Sequence, residues 1–193
     1  MARPQEFDND SVLDSAVEVF WKKGFDDASI QDLVEATGLN RGSLYNAFGD
    51  KAHLFATVME RYRAASPTRM LTNAPDNVSS RQQITDFIYI LVDRAQDDTD
   101  HKGCLLTNTA AGLYGCNDAM GTWIRGTLTE LEDVLTNVIE RGQARGEISS
   151  LQNARELARF FVGIAQGINV MARANPDPDM LGDIATQALR VLD

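Results

Sequence analysis

The chain has 193 residues, 44% of them hydrophobic and 24% charged, which is typical of soluble globular domains and too balanced for a disordered or collagenous chain. It contains no run of 18 apolar residues, and acids stand where a signal peptide would be basic and then apolar, so we expect a cytoplasmic protein without membrane insertion. Two cysteines exclude a disulfide scaffold, and they favour neither a metal site nor a cofactor. The net charge of −10 excludes attraction to a polyanion by bulk charge.

The N-terminal third predicts four helices. Apolar residues recur every three to four positions, with no convincing run of strict alternation, which indicates an all-α fold. The first helix is expected to end at Gly24, because glycine suits a left-handed cap. Ser29 begins a second helix with a capping box, and Gly38 ends it after about two turns. A third helix is expected over residues 40–48, and Asp50 caps a fourth.

The remainder of the chain predicts a loop followed by five further helices, about nine in total. Residues 66–80 hold two prolines among serine, threonine and asparagine, a composition that favours turns. We therefore expect two domains. Residues 1–50 form the first, and residues 51–193 form a larger helical domain that begins with helix four as a connector.

The two short helices on either side of Gly38 bury too little surface to be stable alone, which suggests that something other than stability sets their spacing. A helix-turn-helix supplies a reason, because its second helix enters the major groove of DNA while the first crosses the phosphate backbone. In that arrangement Arg41, Ser43 and Asn46 face outward, and Leu44 turns to the core.

Each polar residue of this segment suits a particular part of DNA. The planar guanidinium of Arg41 can bond bidentately to guanine, and the hydroxyls of Ser29 and Tyr45 and the ammonium of Lys51 suit phosphate oxygens. The alternative is that Tyr45 is a core aromatic and Arg41 a solvated charge. Residues 1–65 carry seven basic and eleven acidic side chains, so DNA binding must come from local placement of charge.

The segments DSAVEVFWKKGFDDASI and DLVEATGLNRGSLYNAFGDKAHLF, within roughly residues 9–55, resemble the N-terminal domain of the TetR family of bacterial transcriptional repressors. The resemblance implies a three-helix DNA-binding head joined by a fourth helix to a ligand-binding and dimerising helical body. Carried over position by position, it implies base and phosphate contacts at Ser29, Asn40, Arg41, Ser43, Tyr45, Asn46 and Lys51.

The larger domain offers candidates for an effector pocket between helices. An apolar lining with a few orienting polar groups is typical of small-molecule sites. The candidate apolar residues are Phe87, Leu91, Tyr114, Trp123 and Phe161. Asn108 and Gln166 are the candidate orienting groups. The alternative reading of each apolar residue is plain core.

Cys104 is a candidate sensor thiol. It lies at the expected start of a helix, near Lys102 and His101, a setting that favours thiolate over thiol. The segment resembles a branch of the same family in which a Gly-Cys-Leu motif opens this helix; some members sense electrophiles through the cysteine, and others bind small organic ligands. The alternative is a small buried hydrophobe. Along a helix, Cys116 would lie about 18 Å from Cys104, too far for a disulfide.

The last two predicted helices present apolar stripes and small residues that favour a symmetric homodimer. These stripes comprise Leu157, Phe160, Phe161, Ile164, Ile168, Ile184, Ala188 and Leu189. The alternative is that they only complete the core of one monomer.

The sequence thus predicts a homodimeric, ligand- or electrophile-responsive repressor that binds a palindromic operator in double-stranded DNA. Two alternatives come from other classes of protein. One is a helical thiol redox enzyme that uses Cys104, and the other is a helical adaptor that does not bind DNA.

Overall fold

In a computed structural model of the chain, the described residues are 8–75, 77–112, 119–174 and 178–193, and every regular element within them is helical. The ten α-helices of these ranges are α1 Asn9–Asp27, α2 Ile30–Thr37, α3 Arg41–Phe48, α4 Lys51–Ala64, α5 Thr68–Thr72, α6 Ser80–Asp97, α7 Leu105–Ala111, α8 Ala119–Ala144, α9 Ala154–Ala174 and α10 Pro178–Leu189. A single 3₁₀ turn, Arg190–Leu192, follows α10. The predicted all-α fold is confirmed.

The additional helix is α5, which lies inside the segment 66–80 that the sequence predicts as a loop. Pro67 precedes it with φ −55° and ψ −21°, so the proline starts a turn of helix here instead of preventing one. Leu71 anchors α5 in the core at 2% exposure. The amino-acid composition of the segment does not predict the burial of Leu71, because it shows only that the segment is rich in turn-forming residues.

The chain divides into two compact units between Ala65 and Ser66. Helix α4, which the sequence analysis assigns to the second domain as a connector, therefore belongs with α1, α2 and α3. The reason is apolar packing. The rings of Phe20 and Phe55 have centroids 4.8 Å apart, and those of Phe25 and Phe55 are 5.0 Å apart.

The N-terminal unit is built around one small core. All four helices contribute buried side chains to this core, which include Ala16, Phe20, Leu33, Leu44, Leu54, Phe55, Val58 and Met59. Gly24 interrupts α1 with φ 76° and ψ 176°, at the position where the sequence predicts the end of the first helix. The chain thereby turns toward α2 without the strain that a side chain would cause.

The C-terminal unit packs α6, α8, α9 and α10 around a second core. Its most buried large side chains include Ile84, Phe87, Ile88, Leu135 and Phe161. Arg155 and Arg159 on α9 reach Glu132 on α8 at 2.6 and 3.1 Å. No described helix combines the length and apolarity that crossing a bilayer would need.

Near its C-terminal end, α8 passes very close to its neighbours. A Cβ atom at Gly142 would lie 2.6 Å from Ile148 Cδ1 and 2.9 Å from Ser80 Cβ. In the same place the carboxylate of Glu147 accepts a hydrogen bond of 2.6 Å from the Ser80 N–H at the start of α6. Glycine at position 142 is what allows this close approach.

We expect Gly142→Ala to lower the free energy of unfolding by about 1 to 3 kcal/mol, because the added methyl overfills a packed site. Gly126→Ala is the matched control on the same helix. A Cβ at Gly126 would meet no described atom within 4 Å, so this change should raise stability by roughly 0.5 to 1 kcal/mol through helix propensity. Urea denaturation of the two variants measures both effects, and equal stabilities would contradict the proposed close approach.

Candidate nucleic-acid interface

Local capping determines where the two short helices begin and end. The Ser29 hydroxyl accepts a hydrogen bond from the Asp32 N–H at 3.1 Å, and the Asp32 carboxylate accepts one from the Ser29 N–H at 2.9 Å. This reciprocal pair is the predicted capping box. Gly38 ends α2 in the left-handed region with φ 69°. The Asn40 side chain then caps α3 by accepting from the Ser43 N–H at 2.9 Å.

The capping carboxylate of Asp32 is also held by a cation. The Lys23 ammonium lies 2.7 Å from it. Together with the Ser29 N–H and hydroxyl, this ammonium lowers the pKa of Asp32 to about 2. The hydroxyl of Ser29 donates to the same carboxylate at 2.8 Å. A phosphate contact from that hydroxyl would therefore replace its bond to Asp32.

Helix α3 is anchored through Leu44, which is 2% exposed. Arg41 and Asn46 are exposed, as the sequence predicts, and Ser43 and Tyr45 are half-buried. The Arg41 guanidinium carbon lies 5.5 Å from the centroid of the Tyr45 ring, and an Arg41 N–H donates to the Tyr45 hydroxyl at 3.4 Å. The tyrosine therefore holds the arginine side chain along one flank of the helix.

Lys51 is held at the first turn of α4. Its ammonium donates to the Asp26 carbonyl at 3.3 Å and lies 4.6 Å from the centroid of the Phe25 ring. Tyr45 and Lys51 line the same shallow cleft, with Gly49 between them in sequence. The geometry thus brings together two of the side chains that the sequence predicts as phosphate ligands.

Asp50, an acidic residue beside this surface, takes part in local structure. Asp50 caps α4 by accepting from the His53 N–H at 2.9 Å, and it pairs with the His53 ring at the same distance. Both bonds lower the pKa of Asp50, and the one from the His53 backbone N–H contributes most. The charge of Asp50 is thereby directed toward a helix N-terminus, where a carboxylate is stabilised.

A second link between α1 and α4 was missed by sequence reasoning. Arg61 forms a bidentate pair with Asp14, at 2.6 and 2.9 Å, and a third bond of 2.8 Å with Asp10. Its hydrogen bonds lower the pKa of Asp14. The ring of Trp21 packs edge to face on that of Tyr62, with centroids 5.1 Å apart. No local pattern signals a pair whose members are 47 residues apart.

The candidate pocket residues of the larger domain lie in several environments. Phe87, Leu91 and Phe161 belong to the packed core, which agrees with the alternative reading of them as core. Trp123 is half-buried, and Tyr114 lies outside the described residues.

The candidate orienting groups make hydrogen bonds within the protein. Gln166 accepts from the Thr107 hydroxyl at 2.7 Å, and the Asn108 amide donates to the Lys102 carbonyl at 2.7 Å. Thr107, which is 6% exposed, is a polar residue of this region that the sequence analysis did not single out.

Cys104 lies at the N-cap position of α7, where the sequence predicts a helix start, and it is partly exposed. The preceding residue, Gly103, donates its N–H to Asp98 at 2.7 Å. A Cβ at Gly103 would lie 3.2 Å from Arg173 Cβ on α9. The thiol therefore sits where the loop before α7 packs against α9. Cys116 lies outside the described residues.

Two short capped helices that share a core and expose Arg41 and Asn46, followed by a larger helical unit, define a DNA-binding regulator of the helix-turn-helix class. Residues 12–58 match the family described as bacterial regulatory proteins, tetR family, and residues 81–188 match the tetracyclin repressor-like C-terminal domain. The chain belongs to the TetR family of bacterial transcriptional regulators.

Individual relatives resemble the chain over its whole length. The HTH-type transcriptional repressor ComR of Escherichia coli is 31% identical over 98% of this chain and 90% of its own length. The uncharacterised HTH-type regulator YezE of Bacillus subtilis is 27% identical, with both chains fully covered. A cysteine mutant of the regulator CifR, solved with 26-base-pair operator DNA, superposes with a TM-score of 0.86 at 27% identity, again with full coverage of both chains.

Proposed function

We propose that this regulator binds a palindromic DNA operator as a homodimer and represses transcription from it until an effector releases it. The observation that carries the proposal is the exposure of Arg41 and Asn46 on a helix whose opposite side is fixed by buried Leu44. Support also comes from CifR, which was solved on operator DNA. A regulator of this kind works in the bacterial cytoplasm, where the chromosome lies.

The side chains on and around α3 contact different parts of the DNA. Arg41 and Asn46 read base edges, because a guanidinium suits guanine and an amide suits adenine. Tyr45 and Lys51 contact phosphates and set the position of the helix. Ser29, Asn40 and Ser43 contribute further polar contacts from the ends of α2 and α3. In the dimer the two α3 helices lie about 34 to 36 Å apart, so that they enter successive major grooves.

We expect Arg41→Ala to weaken operator binding by about 10- to 100-fold, which corresponds to the loss of one bidentate base contact. The dimer should persist. The operator is first selected from random duplex DNA with the wild-type protein, and affinities are then measured by fluorescence anisotropy at one stated salt concentration, because salt alters them steeply.

Lys51→Gln is the control for a phosphate contact. It should weaken binding to all sequences alike and reduce the slope of log affinity against log salt by about 1. Arg41→Lys, which keeps the charge but not the planar fork, should lose base preference and retain the slope. Indifference of DNA binding to Arg41→Ala would favour the adaptor or the enzyme.

We propose that the dimer contact predicted for the last two helices includes one exposed face of α9. Leu157, Phe161 and Ile168 are buried in the core of their own unit. A different face of α9 is left exposed. It carries Phe160, Val170 and Met171, which are 39%, 48% and 43% exposed. It also carries Gly163 and Gly167, where an added Cβ would meet no atom of the described part of the chain within 4 Å.

This α9 face suits the self-complementary contact of a twofold dimer. Its members recur at helical spacing, and the two glycines let a partner helix approach closely. The stripe predicted from the sequence combines exposed Phe160 with Phe161, which is buried in the core of its own unit. Phe160 and Phe161 are adjacent and equally apolar, so periodicity alone does not decide which of them faces the core of the same chain.

We expect the double variant Val170→Asp/Met171→Asp to sediment as a monomer in analytical ultracentrifugation, because two carboxylates would be desolvated in the contact. Operator affinity should fall by about 100-fold or more, since the two half-sites would no longer be bound together. Leu151→Asp is the control, because Leu151 is 94% exposed in the loop between α8 and α9. A double variant that remains a dimer would place the interface elsewhere.

For the effector we propose an electrophile that alkylates Cys104. The thiol is partly exposed and lies beside the packing of Gly103 against Arg173, so an adduct would add bulk where the α7 loop meets α9. An adduct releases the operator only by favouring a conformation that binds DNA less well. The choice of a cysteine is also supported by CifR, because its operator complexes were solved with cysteine mutants.

We expect mild treatment with N-ethylmaleimide to add one maleimide to Cys104, seen by peptide mass spectrometry, and to lower operator affinity by at least about tenfold, as a typical coupling free energy allows. Cys104→Ser should bind the operator as the wild type does and resist the reagent. Modification of Cys116 alone, or an adduct on Cys104 that leaves affinity unchanged, would remove this proposal.

A further inference from the structure

Among the residues that the structure describes, nothing requires position 42 to be glycine. It is exposed in the first turn of α3, and it is not among the glycines with positive φ. Of the atoms described, a Cβ added there would meet only Asn40 Oδ1, at the ordinary contact distance of 3.4 Å. Neither backbone conformation nor packing therefore requires the absence of a side chain.

Glycine at this position also works against the helix that carries it. Helix α3 has eight residues, and a helix of that length depends on every favourable residue. Glycine is the poorest helix former after proline, and alanine is the best. Gly24, Gly38 and Gly49 differ from Gly42, because each has a positive φ that a side chain would strain.

The position of Gly42 on the surface of α3 suggests a reason for glycine there. At roughly 100° per residue, Gly42 and Asn46 lie about 160° around the helix axis from buried Leu44, one on either side of the direction opposite to it. Arg41 and Tyr45 lie on one flank. The centre of the outward face of α3 therefore carries Asn46 toward its C-terminal end and no side chain near its N-terminal end.

We propose that Gly42 is the point at which the α3 backbone itself comes into contact with the operator, so that a side chain there would hold the helix away from the DNA. This inference rests on the proposed operator binding and names a residue that determines its fit. The lack of a Cβ lets the first turn of α3 enter the major groove deeply enough for Arg41 and Asn46 to reach base edges, which tolerate little displacement.

The proposal separates stability from binding. Gly42→Ala should raise the melting temperature by about 1 to 4 °C, because it improves helix propensity, while it weakens binding to the selected operator by at least about tenfold. Gly42→Leu, which is also a good helix former, should weaken binding further. The slope of log affinity against log salt should stay unchanged in both variants, because neither removes a charge.

Gly126→Ala is the matched control. It replaces an exposed helical glycine with open space around its Cβ, so it should raise the melting temperature without altering operator affinity. Calorimetry and fluorescence anisotropy on the full-length dimer give the two readouts.

Three outcomes decide the matter. A Gly42→Ala protein that binds the operator within twofold of the wild type overturns the inference, and so does one that melts below the wild type, since glycine would then serve folding. A wild-type protein that selects no DNA sequence at all overturns the proposed function instead.

Discussion

The burial of Leu44 is the constraint on which the DNA-facing surface depends. This side chain is 2% exposed, and its place in the core of the N-terminal unit fixes the rotation of α3 about its own axis. A helix of eight residues has no other large buried side chain to resist turning. With Leu44 inside, Gly42 and Asn46 face outward and Arg41 lies against Tyr45. Each DNA contact proposed for the side chains of α3 follows from that single orientation.

The acidic composition of the chain is compatible with DNA binding because two acids on the helices next to α3 already have partners. Asp32 caps α2 and pairs with Lys23, and Asp50 caps α4. A carboxylate that is satisfied in this way repels a phosphate less than an isolated one would, since its field is partly cancelled nearby. Net charge describes long-range attraction, whereas the interface depends on a few groups at short range.

Sequence reasoning succeeded where the determinant is local and failed where it is not. Ser29 and Asp50 were predictable caps, because a cap acts within three residues of its own position. The clamp from Arg61 to Asp14 joins residues 47 positions apart, and no short-range pattern encodes it. The apolar stripe predicted for α9 contains both exposed Phe160 and buried Phe161, because periodicity does not separate adjacent residues of equal hydrophobicity. Pro67 was read as a breaker because composition does not reveal that Leu71 has a place in the core.

Two of the cations proposed to meet DNA are already restrained by aromatic rings. Lys51 lies over Phe25 and Arg41 over Tyr45. Long basic side chains normally lose considerable rotamer entropy when a ligand immobilises them. Here part of that entropy loss has occurred during folding, so complex formation immobilises fewer torsions than it would with unrestrained cations. A larger part of the free energy of each contact therefore contributes to the affinity.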